Sequence, residues 1–270
     1  MIKISACLVV HNEEKLIKRC LDSIKNVVDE IILVHDGSCS DNTLNIARKY
    51  TNKIFVRPYI GIAEPHRVFT YKKAKGEWIL KIDADEFLSK QAQKKIRKLI
   101  QSEDIDGYFF VWRLWDGKKY LTKNWPHKLC LFRKNKMSFF GFPQYTETVE
   151  GKTKKIDLEL EHKPLYNNYT FYTFKKKWLR WASIQAEYTL KDFKKIPAFG
   201  KNPKVKFMTI LKRKFPLFVI FFVFPLSFLK QFFLDSFWRA GYVGFKISLI
   251  HGLYQFFVCF YILKLKMIKK

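Results

Sequence analysis

Three acidic residues stand together at the end of an apolar run, in residues 78–89, which read WILKIDADEFLS. Asp83 and Asp85 are two positions apart, so on an extended strand both side chains point to the same side and can reach one cation. A hard divalent metal prefers carboxylate oxygens and also bridges substrate phosphates. The spacing therefore predicts a metal socket for a diphosphate, although a D-x-D taken alone is better explained as a solvated strand end or a helix cap.

Two further polar clusters, residues 11–14 and 35–41, also follow apolar runs. The predicted strands are residues 4–10, 30–34, 53–56 and 78–82. Segments with helical spacing of apolar residues separate them, a pattern typical of a parallel sheet covered on both faces. In such sheets the ligand crevice lies beyond the carboxyl ends of the strands. The three polar clusters are therefore expected to meet at one edge of the sheet.

The composition limits the classes of partner. The chain has 270 residues, 48% of them hydrophobic, and 51 Lys and Arg against 24 Asp and Glu. The hydrophobic content excludes a disordered chain, and the net charge of +27 indicates a polyanionic partner: nucleic acid, an anionic membrane or a phosphorylated substrate. The five cysteines lack metal-site spacing and favour a reduced, cytosolic environment. The N-terminal run is interpreted as a first strand, not as a signal peptide.

The second half of the chain has a different texture. Aromatic strands begin near residue 106, and turn residues predict hairpins about Asp116-Gly117 and Lys134-Asn135. Residues 170–193 have the spacing of a helix.

The last seventy residues combine apolar runs with cations. Residues 215–229 and 247–263 contain no Lys, Arg, Asp or Glu, but each is shorter than the ~20 apolar residues of a spanning helix. From Lys201 onward there are thirteen Lys or Arg and one acid, Asp235. This mixture favours insertion in the plane of a membrane surface over a buried helical subdomain or a re-entrant hairpin.

Three stretches carry a resemblance to a known family. CLVVHNEEKLIKRCLDSI, DEIILVHDGSCSDNT and GEWILKIDADEFLS, in this order, resemble the N-terminal half of family 2 inverting glycosyltransferases of the GT-A fold. LFRKNKMSFFGFPQYTETVEG is similar to the acceptor side of the branch that contains lipopolysaccharide-core glucosyltransferases, and residues 225–256 are similar to its membrane-facing tail.

The resemblance implies an α/β, Rossmann-related GT-A fold with a mostly parallel sheet, flanking helices and a C-terminal apolar helical segment associated with the membrane. It divides the chain into a glycosyltransferase domain, residues 1–200, and a basic, apolar tail, residues 201–270. Within the domain, residues 1–105 form the nucleotide-binding half and residues 106–200 the acceptor half.

The resemblance also assigns site residues. It assigns donor binding to Val10, Asn12, Glu14, Asp36, Arg67 and Asp83. The first three would surround the base and ribose, Asp36 would contact the base, and Asp83 would lie near the ribose and diphosphate. Arg67 would contact phosphate, with a surface arginine as the alternative. Asp85 would hold the metal.

This chain departs from the usual D-D-G-S-x-D pattern of the family. His35 stands where the first Asp is common, and one residue is inserted before Asp41. That leaves the base-binding acid to Asp36 and leaves the nucleobase open.

An inverting transfer needs a base that takes the proton of the acceptor hydroxyl. The branch has a His-Glu pair in the acceptor loop, and here Thr146 stands at the His position while Glu147 keeps the Glu position. Glu147 is therefore the expected base, with a surface acid on a lysine-rich face as the alternative. His162 is a candidate for a further metal or phosphate contact, although a lone His is more often structural.

The predicted function is that of a metal-dependent inverting glycosyltransferase at the cytoplasmic face of the membrane, held peripherally or monotopically on an anionic lipid surface. With Mn²⁺ or Mg²⁺ it would transfer a sugar from a nucleotide sugar, a UDP-sugar first among donors, to a lipid-linked or cell-surface glycan acceptor in lipopolysaccharide or polysaccharide biosynthesis.

The alternative is a basic nucleic-acid-binding module without enzymatic activity. It explains the charge and the aromatic residues, but neither the acids at the strand ends nor the apolar tail. No nucleic-acid partner is therefore expected.

Overall fold

The computed structural model describes residues 3–201 and 203–268. Backbone packing divides the chain into two compact units. The first comprises residues 1–165 and 197–203, and the second comprises residues 166–196 and 204–270. The segment 166–196, assigned from the sequence to the acceptor half, belongs to the second unit because its helix packs against the C-terminal helices.

The first unit is built on β-strands. They are β1 (Ile4–Val10), β2 (Glu30–Asp36), β3 (Ile54–Arg57), β4 (Trp78–Lys81), β5 (Glu86–Leu88), β6 (Gly107–Val111), β7 (His127–Arg133), β8 (Met137–Phe140), β9 (Thr148–Val149), β10 (Thr153–His162) and β11 (Ala198–Phe199). Eight strands form one sheet in the order β3-β2-β1-β4-β7-β6-β10-β5, and the order β11-β8-β9 forms a second sheet. Strands β1 to β4 are mutually parallel, as predicted.

Helices separate the parallel strands. They are α1 (Glu14–Ile24), α2 (Thr43–Ala47), α3 (Glu64–Lys73) and α4 (Lys90–Leu99). Ser89 caps α4, since its Oγ accepts a hydrogen bond of 3.2 Å from the Ala92 amide. The apolar side of α1, which includes Ile17, Cys20 and Leu21, is buried against the sheet. The alternation of strand and helix predicted for the first hundred residues is confirmed.

The two predicted hairpins differ from the structure. The hairpin at Lys134-Asn135 is wrong: β7 runs through a 3-10 turn, Lys134–Lys136, into β8, which pairs with β9 and β11. Strand β7 cannot take β8 as a partner because its two edges are already paired with β4 and β6. The hairpin about Asp116-Gly117 is reduced to one bridge between Trp115 and Tyr120.

The pairing of strand β10 is irregular near its middle. Its pairing with β6 is regular from Thr153 to Ile156 and shifts register before Glu159. Its last residues then pair antiparallel with the short strand β5, so that His162 lies opposite Glu86. A register shift of this kind turns a strand and re-aims the side chains that follow it.

The second unit is helical. Its elements are α5 (Phe171–Thr173), a π-helical turn (Phe174–Trp178), α6 (Leu179–Leu190), a 3-10 turn (Phe193–Lys195), α7 (Phe207–Lys214), α8 (Pro216–Leu229), a second π-helical turn (Lys230–Leu234), a 3-10 turn (Phe237–Ala240) and α9 (Gly241–Ile268). The helix predicted for residues 170–193 is thus confirmed. It begins at Phe171 and ends at Leu190. Ala182 and Ala186 of α6 are buried against Ile250, Tyr254 and Val258 of α9.

Two helices of this unit are longer than their uncharged stretches. Pro216–Leu234 has 19 residues and Phe237–Ile268 has 32, so each is long and apolar enough to cross a membrane by length and composition alone. The prediction that both segments are too short to span was therefore wrong, because helical geometry continues past Lys230 and Lys246. In Pro216–Leu234, only 11% of an 18-residue apolar stretch is buried.

Candidate active site

The turn after β1 is locked to the turn after β2. Asn12 has a left-handed backbone, φ 52°, which asparagine tolerates better than most residues. Its side-chain amide donates to Ser40 Oγ at 2.8 Å, and its Oδ1 accepts from the Ser40 amide at 3.0 Å. The Asn12 amide donates to His35 Nε2 at 3.2 Å. Val10, the last residue of β1, is buried just before this turn.

Glu14 and Asp41 continue the same network. Asp41 accepts hydrogen bonds from the Glu14 amide, at 3.1 Å, and from the Thr43 amide, at 2.9 Å. Glu14 in return accepts from the Asn42 amide at 3.0 Å. Burial would raise the pKa of Asp41, but the hydrogen bonds from Thr43 and Glu14 lower it to about 2. Asn12 and Glu14, which were predicted beside the base and ribose, are thus both hydrogen-bonded to the turn after β2.

Asp36 ends β2 and is buried. Its oxygens accept hydrogen bonds from the amides of Ile60 at 2.6 Å and Gly61 at 2.8 Å, and from His66 Nε2 at 2.9 Å. Burial would raise the pKa of this carboxyl, but the His66 bond and the two amides outweigh it and lower the pKa. Asp36 therefore connects the loop before α3 to the end of β2. A nucleobase bound here would have to hydrogen-bond to carboxylate oxygens of Asp36 that already accept bonds from the protein.

The acids after β4 have side-chain cations as partners. Asp83 lies 2.6 Å from Arg67 Nη2 and 3.0 Å from Lys128 Nζ, one cation on each oxygen. Lys128 Nζ also lies 2.5 Å from Glu86 Oε1, which accepts a further hydrogen bond from Trp112 Nε1 at 2.6 Å. Burial would raise the pKa of Asp83, but Arg67 and Lys128 hold it far below its ordinary value.

Asp85 has a different neighbour. His162 Nε2 lies 3.3 Å from Asp85 Oδ2, and the imidazole stacks on the Trp112 ring at a centroid distance of 4.1 Å. The Lys163 amide donates to the Asp85 carbonyl at 2.9 Å, which fixes the end of β10 beside this residue. The buried His162 Nδ1 has no hydrogen-bond partner among the residues that the structure describes.

The donor set at this point suits a divalent cation. A carboxylate and an imidazole are adjacent, with His162 Nε2 facing Asp85 Oδ2. Residues 3–201 and 203–268 contain no group of three or more His, Cys, Asp or Glu that could enclose a metal. Two protein ligands are enough for Mg²⁺ or Mn²⁺ when phosphate oxygens and water complete the coordination.

Glu147 belongs to a second cluster of polar side chains, with Lys81 and Tyr71. Its side chain is 0% exposed, and its two oxygens are bonded to Lys81 Nζ and, at 2.6 Å, to the hydroxyl of Tyr71. Burial would raise the pKa of Glu147, but the charges of Lys81 and Arg67 lower it. The carboxylate is thus held ionised inside the first unit, while Thr146 beside it is exposed.

Two lysines of these clusters were missed by sequence reasoning. Lys81 interrupts the apolar run WILKI, and a cation inside a predicted buried strand is a signal that a buried acid must accompany it. Lys128 carries no such signal. It reaches Asp83 because β7 is antiparallel to β4, with Trp78 opposite Arg133 and Leu80 opposite Leu131.

A family model described as glycosyl transferase family 2 matches residues 5–180, well over half of the chain. The chain belongs to glycosyl transferase family 2. The resemblance predicted from the sequence is confirmed, and so are the α/β fold class and the mostly parallel sheet.

Similar proteins match this chain over different lengths. An uncharacterized glycosyltransferase of Rickettsia felis is 40% identical over 108 residues, which are 40% of this chain and 38% of that protein. The chain thus matches little more than a third of that relative. The lipopolysaccharide core biosynthesis glycosyltransferase LpsC of Rhizobium meliloti is 23% identical over 94% of this chain and 90% of its own length. The structure of S. aureus TarS 1-349 in complex with UDP covers 94% of this chain and 90% of its own, with 17% identity and a TM-score of 0.47.

Proposed function

We propose that the protein is a metal-dependent inverting glycosyltransferase that transfers a sugar from a nucleotide sugar, a UDP-sugar first, to a lipid-linked or cell-surface glycan acceptor. One observation carries the proposal. At the end of β4, the Asp85–His162 pair adjoins Asp83 with its two cations, Arg67 and Lys128. A diphosphate needs such a combination of metal ligands and fixed positive charge.

The chain's own residues divide the work of holding the donor. Asp85 and His162 would hold Mn²⁺ or Mg²⁺, which supplies Lewis-acid stabilisation of the charge on the departing diphosphate. Asp83 keeps the Arg67 guanidinium at 2.6 Å and so aims it at the same place. The turns at Asn12 and Ser40 would border the nucleoside, with Val10, Glu14 and Asp36 behind them.

The base role of Glu147 stays a prediction, and its geometry sets a condition. A general base must come within hydrogen-bond reach of the acceptor hydroxyl. Glu147 is buried and bonded to Lys81 and Tyr71. It can take a proton from the acceptor only if the segment around residues 143–149 moves and these bonds break.

The acceptor and the location are inferred from the second unit and from LpsC. That relative is named for lipopolysaccharide core biosynthesis, which favours a lipid-linked or surface glycan. Two apolar helices and the surrounding lysines suit a membrane surface, and we place the protein at its cytoplasmic face.

The class is tested with a panel of nucleotide sugars, including UDP-glucose, in Mn²⁺, in Mg²⁺ and in EDTA. We expect hydrolysis or transfer from one donor with metal and a loss of turnover in EDTA. Turnover that is equal in EDTA would remove the metal from the proposal. No turnover of any donor, together with steeply salt-dependent binding of RNA or DNA, would replace the enzyme by a basic binding module.

The membrane proposal is tested on α8. Phe218 and Phe222 are 68% and 49% exposed, and their rings lie 5.2 Å apart. The Phe218→Glu/Phe222→Glu variant should move from the membrane pellet to the supernatant, since a carboxylate is costly in lipid. Tyr172→Glu, at an exposed position outside the two apolar helices, is the matched control. A wild-type protein found in the supernatant without detergent would overturn membrane association.

A further inference from the structure

Lys128 stands opposite the first acid of the D-x-D. Strands β4 and β7 are antiparallel and pair Trp78 with Arg133 and Leu80 with Leu131, so the residues that follow β4 lie beside the start of β7. The ammonium lies 3.0 Å from Asp83 and 2.5 Å from Glu86. Its position is therefore set by the central strands of the sheet and by two carboxylates, not by a mobile loop.

The ammonium has donor capacity left. A lysine ammonium carries three N–H donors. That of Lys128 has two acceptors in the structure, the carboxylates of Asp83 and Glu86. Arg67 uses one of its five donors on Asp83. The Lys128 side chain is still 19% exposed. Both cations thus retain donors beside the acid that the resemblance assigns to the ribose and diphosphate.

Two lysines of the first unit make an instructive contrast. Lys81 is 5% exposed and is paired with one fully buried carboxylate, Glu147. Lys128 is shared between two acids and keeps contact with solvent. The first arrangement closes an ion pair inside the unit, whereas the second leaves a positive charge that an anion can approach.

We propose that Lys128 is a second fixed cation of the donor site, which contacts the diphosphate beside Arg67 while Asp83 and Glu86 hold it in place. This inference rests on the proposed function and adds a residue to it. A charge-assisted hydrogen bond from Lys128 would stabilise the diphosphate both in the bound donor and as a leaving group. Because this charge belongs to the chain, its contribution to binding is present without metal as well.

The test measures binding of UDP and of uridine to the full-length protein by calorimetry, in EDTA and in Mn²⁺. In Lys128→Met we expect the affinity for UDP to fall about tenfold or more in both buffers, with the affinity for uridine unchanged. Lys128→Arg should keep most of the UDP affinity, because the charge remains. Lys90→Met, at an exposed position on α4, is the matched control and should match the wild type.

The outcomes separate two failures. If the wild type binds none of UDP, GDP, ADP and CDP, the proposed function fails. If it binds one of them and Lys128→Met binds it equally well, Lys128 has no contact with the diphosphate. If that variant loses diphosphate and nucleoside in the same proportion, or if Lys128→Arg is as poor as Lys128→Met, Lys128 only holds the acids and the inference is overturned. Should Lys128→Met not fold, Lys128→Gln is measured in its place.

Discussion

Two groups of acids lie at the carboxyl edge of the sheet, and they are held in different ways. Glu14, Asp36 and Asp41 accept hydrogen bonds mainly from backbone amides. Asp83 and Glu86 are held mainly by the side-chain cations Arg67 and Lys128. A backbone amide cannot leave without rearranging its loop, whereas a lysine or arginine side chain can turn to a new partner.

The difference separates acids that shape the turns from acids that are available for exchange. The first group fixes the loops after β1 and β2, so its loss should be felt in stability. The second group can trade a protein cation for a ligand, so its loss should be felt in activity. Four variants follow, from the largest expected effect to the smallest. Asp36→Ala and Asp41→Asn test the first group directly, and Asp85→Ala and Lys81→Met compare it with acids whose partners are side chains.

Asp85→Ala should abolish transfer while leaving the fold intact. Loss of a metal ligand removes several kcal/mol of transition-state stabilisation, which corresponds to a fall in kcat/KM of roughly 10³-fold or more. The measurement is kcat/KM with the donor found in the panel, together with urea unfolding. Asp104→Ala, at an exposed loop position, is the control. An active Asp85→Ala enzyme would contradict the proposed role of Asp85 as a metal ligand.

Lys81→Met should be the most destabilising of the substitutions. It leaves the Glu147 carboxylate buried without its cation, at a cost of about 3–5 kcal/mol. Glu147→Gln and the double variant complete a cycle measured by urea unfolding, and the double variant should be more stable than Lys81→Met alone. Equal stability of Lys81→Met and the wild type would mean that the Lys81 ammonium does not stabilise the buried Glu147 carboxylate.

Asp36→Ala should destabilise by about 3 kcal/mol, because the amides of Ile60 and Gly61 and the ring of His66 lose their acceptor. Hydrogen exchange at residues 60 and 61 should accelerate in step with the loss of stability. The stability of Asp36→Asn, which keeps one acceptor oxygen, should lie between that of the wild type and that of Asp36→Ala. Unchanged exchange at these amides would contradict the division.

Asp41→Asn should have the smallest effect, and one that depends on pH. The folded-state pKa of about 2 lies below the ordinary value of 3.8, so the ionised carboxylate stabilises the fold above pH 3.8 and this contribution is lost as the pH falls towards 2. We expect the variant to be less stable by about 1 kcal/mol or less at pH 7, since Asp41 is half-exposed. Unfolding at pH 6, 4 and 2.5 should show the difference shrinking, and a constant difference would exclude this carboxylate as its source.

The sequence predicted the first half of the fold well because the hydrophobic period and the turn residues agree there. Residues 4–10 and 30–34 are short apolar runs, and Ser89 stands where a cap is needed. The convergence of the polar clusters followed from parallel topology alone. The second half was harder, since local turn residues at Lys134-Asn135 cannot reveal that both edges of β7 are already occupied.

From the sequence, the acids of the candidate site, Arg67 and His162 were named, but Lys128 was not. Asp83, Asp85 and Glu86 are contiguous, so a pattern can show them. Their partner Lys128 comes from a strand more than forty positions later, in a chain with 51 Lys and Arg. Single lysines carry no signal against that background, and only the pairing of the strands selects them.

Because of the register shift in β10, the contact between Asp85 and His162 depends on the length of the chain more than on residue type. Residues 157 and 158 lie within the shift, and His162 follows four positions after it. Side chains alternate between the two faces of a strand, so one residue gained or lost between Glu159 and His162 would turn the imidazole to the opposite face. Insertions and deletions in this short stretch should therefore be tolerated far less well than substitutions at its outward-facing positions.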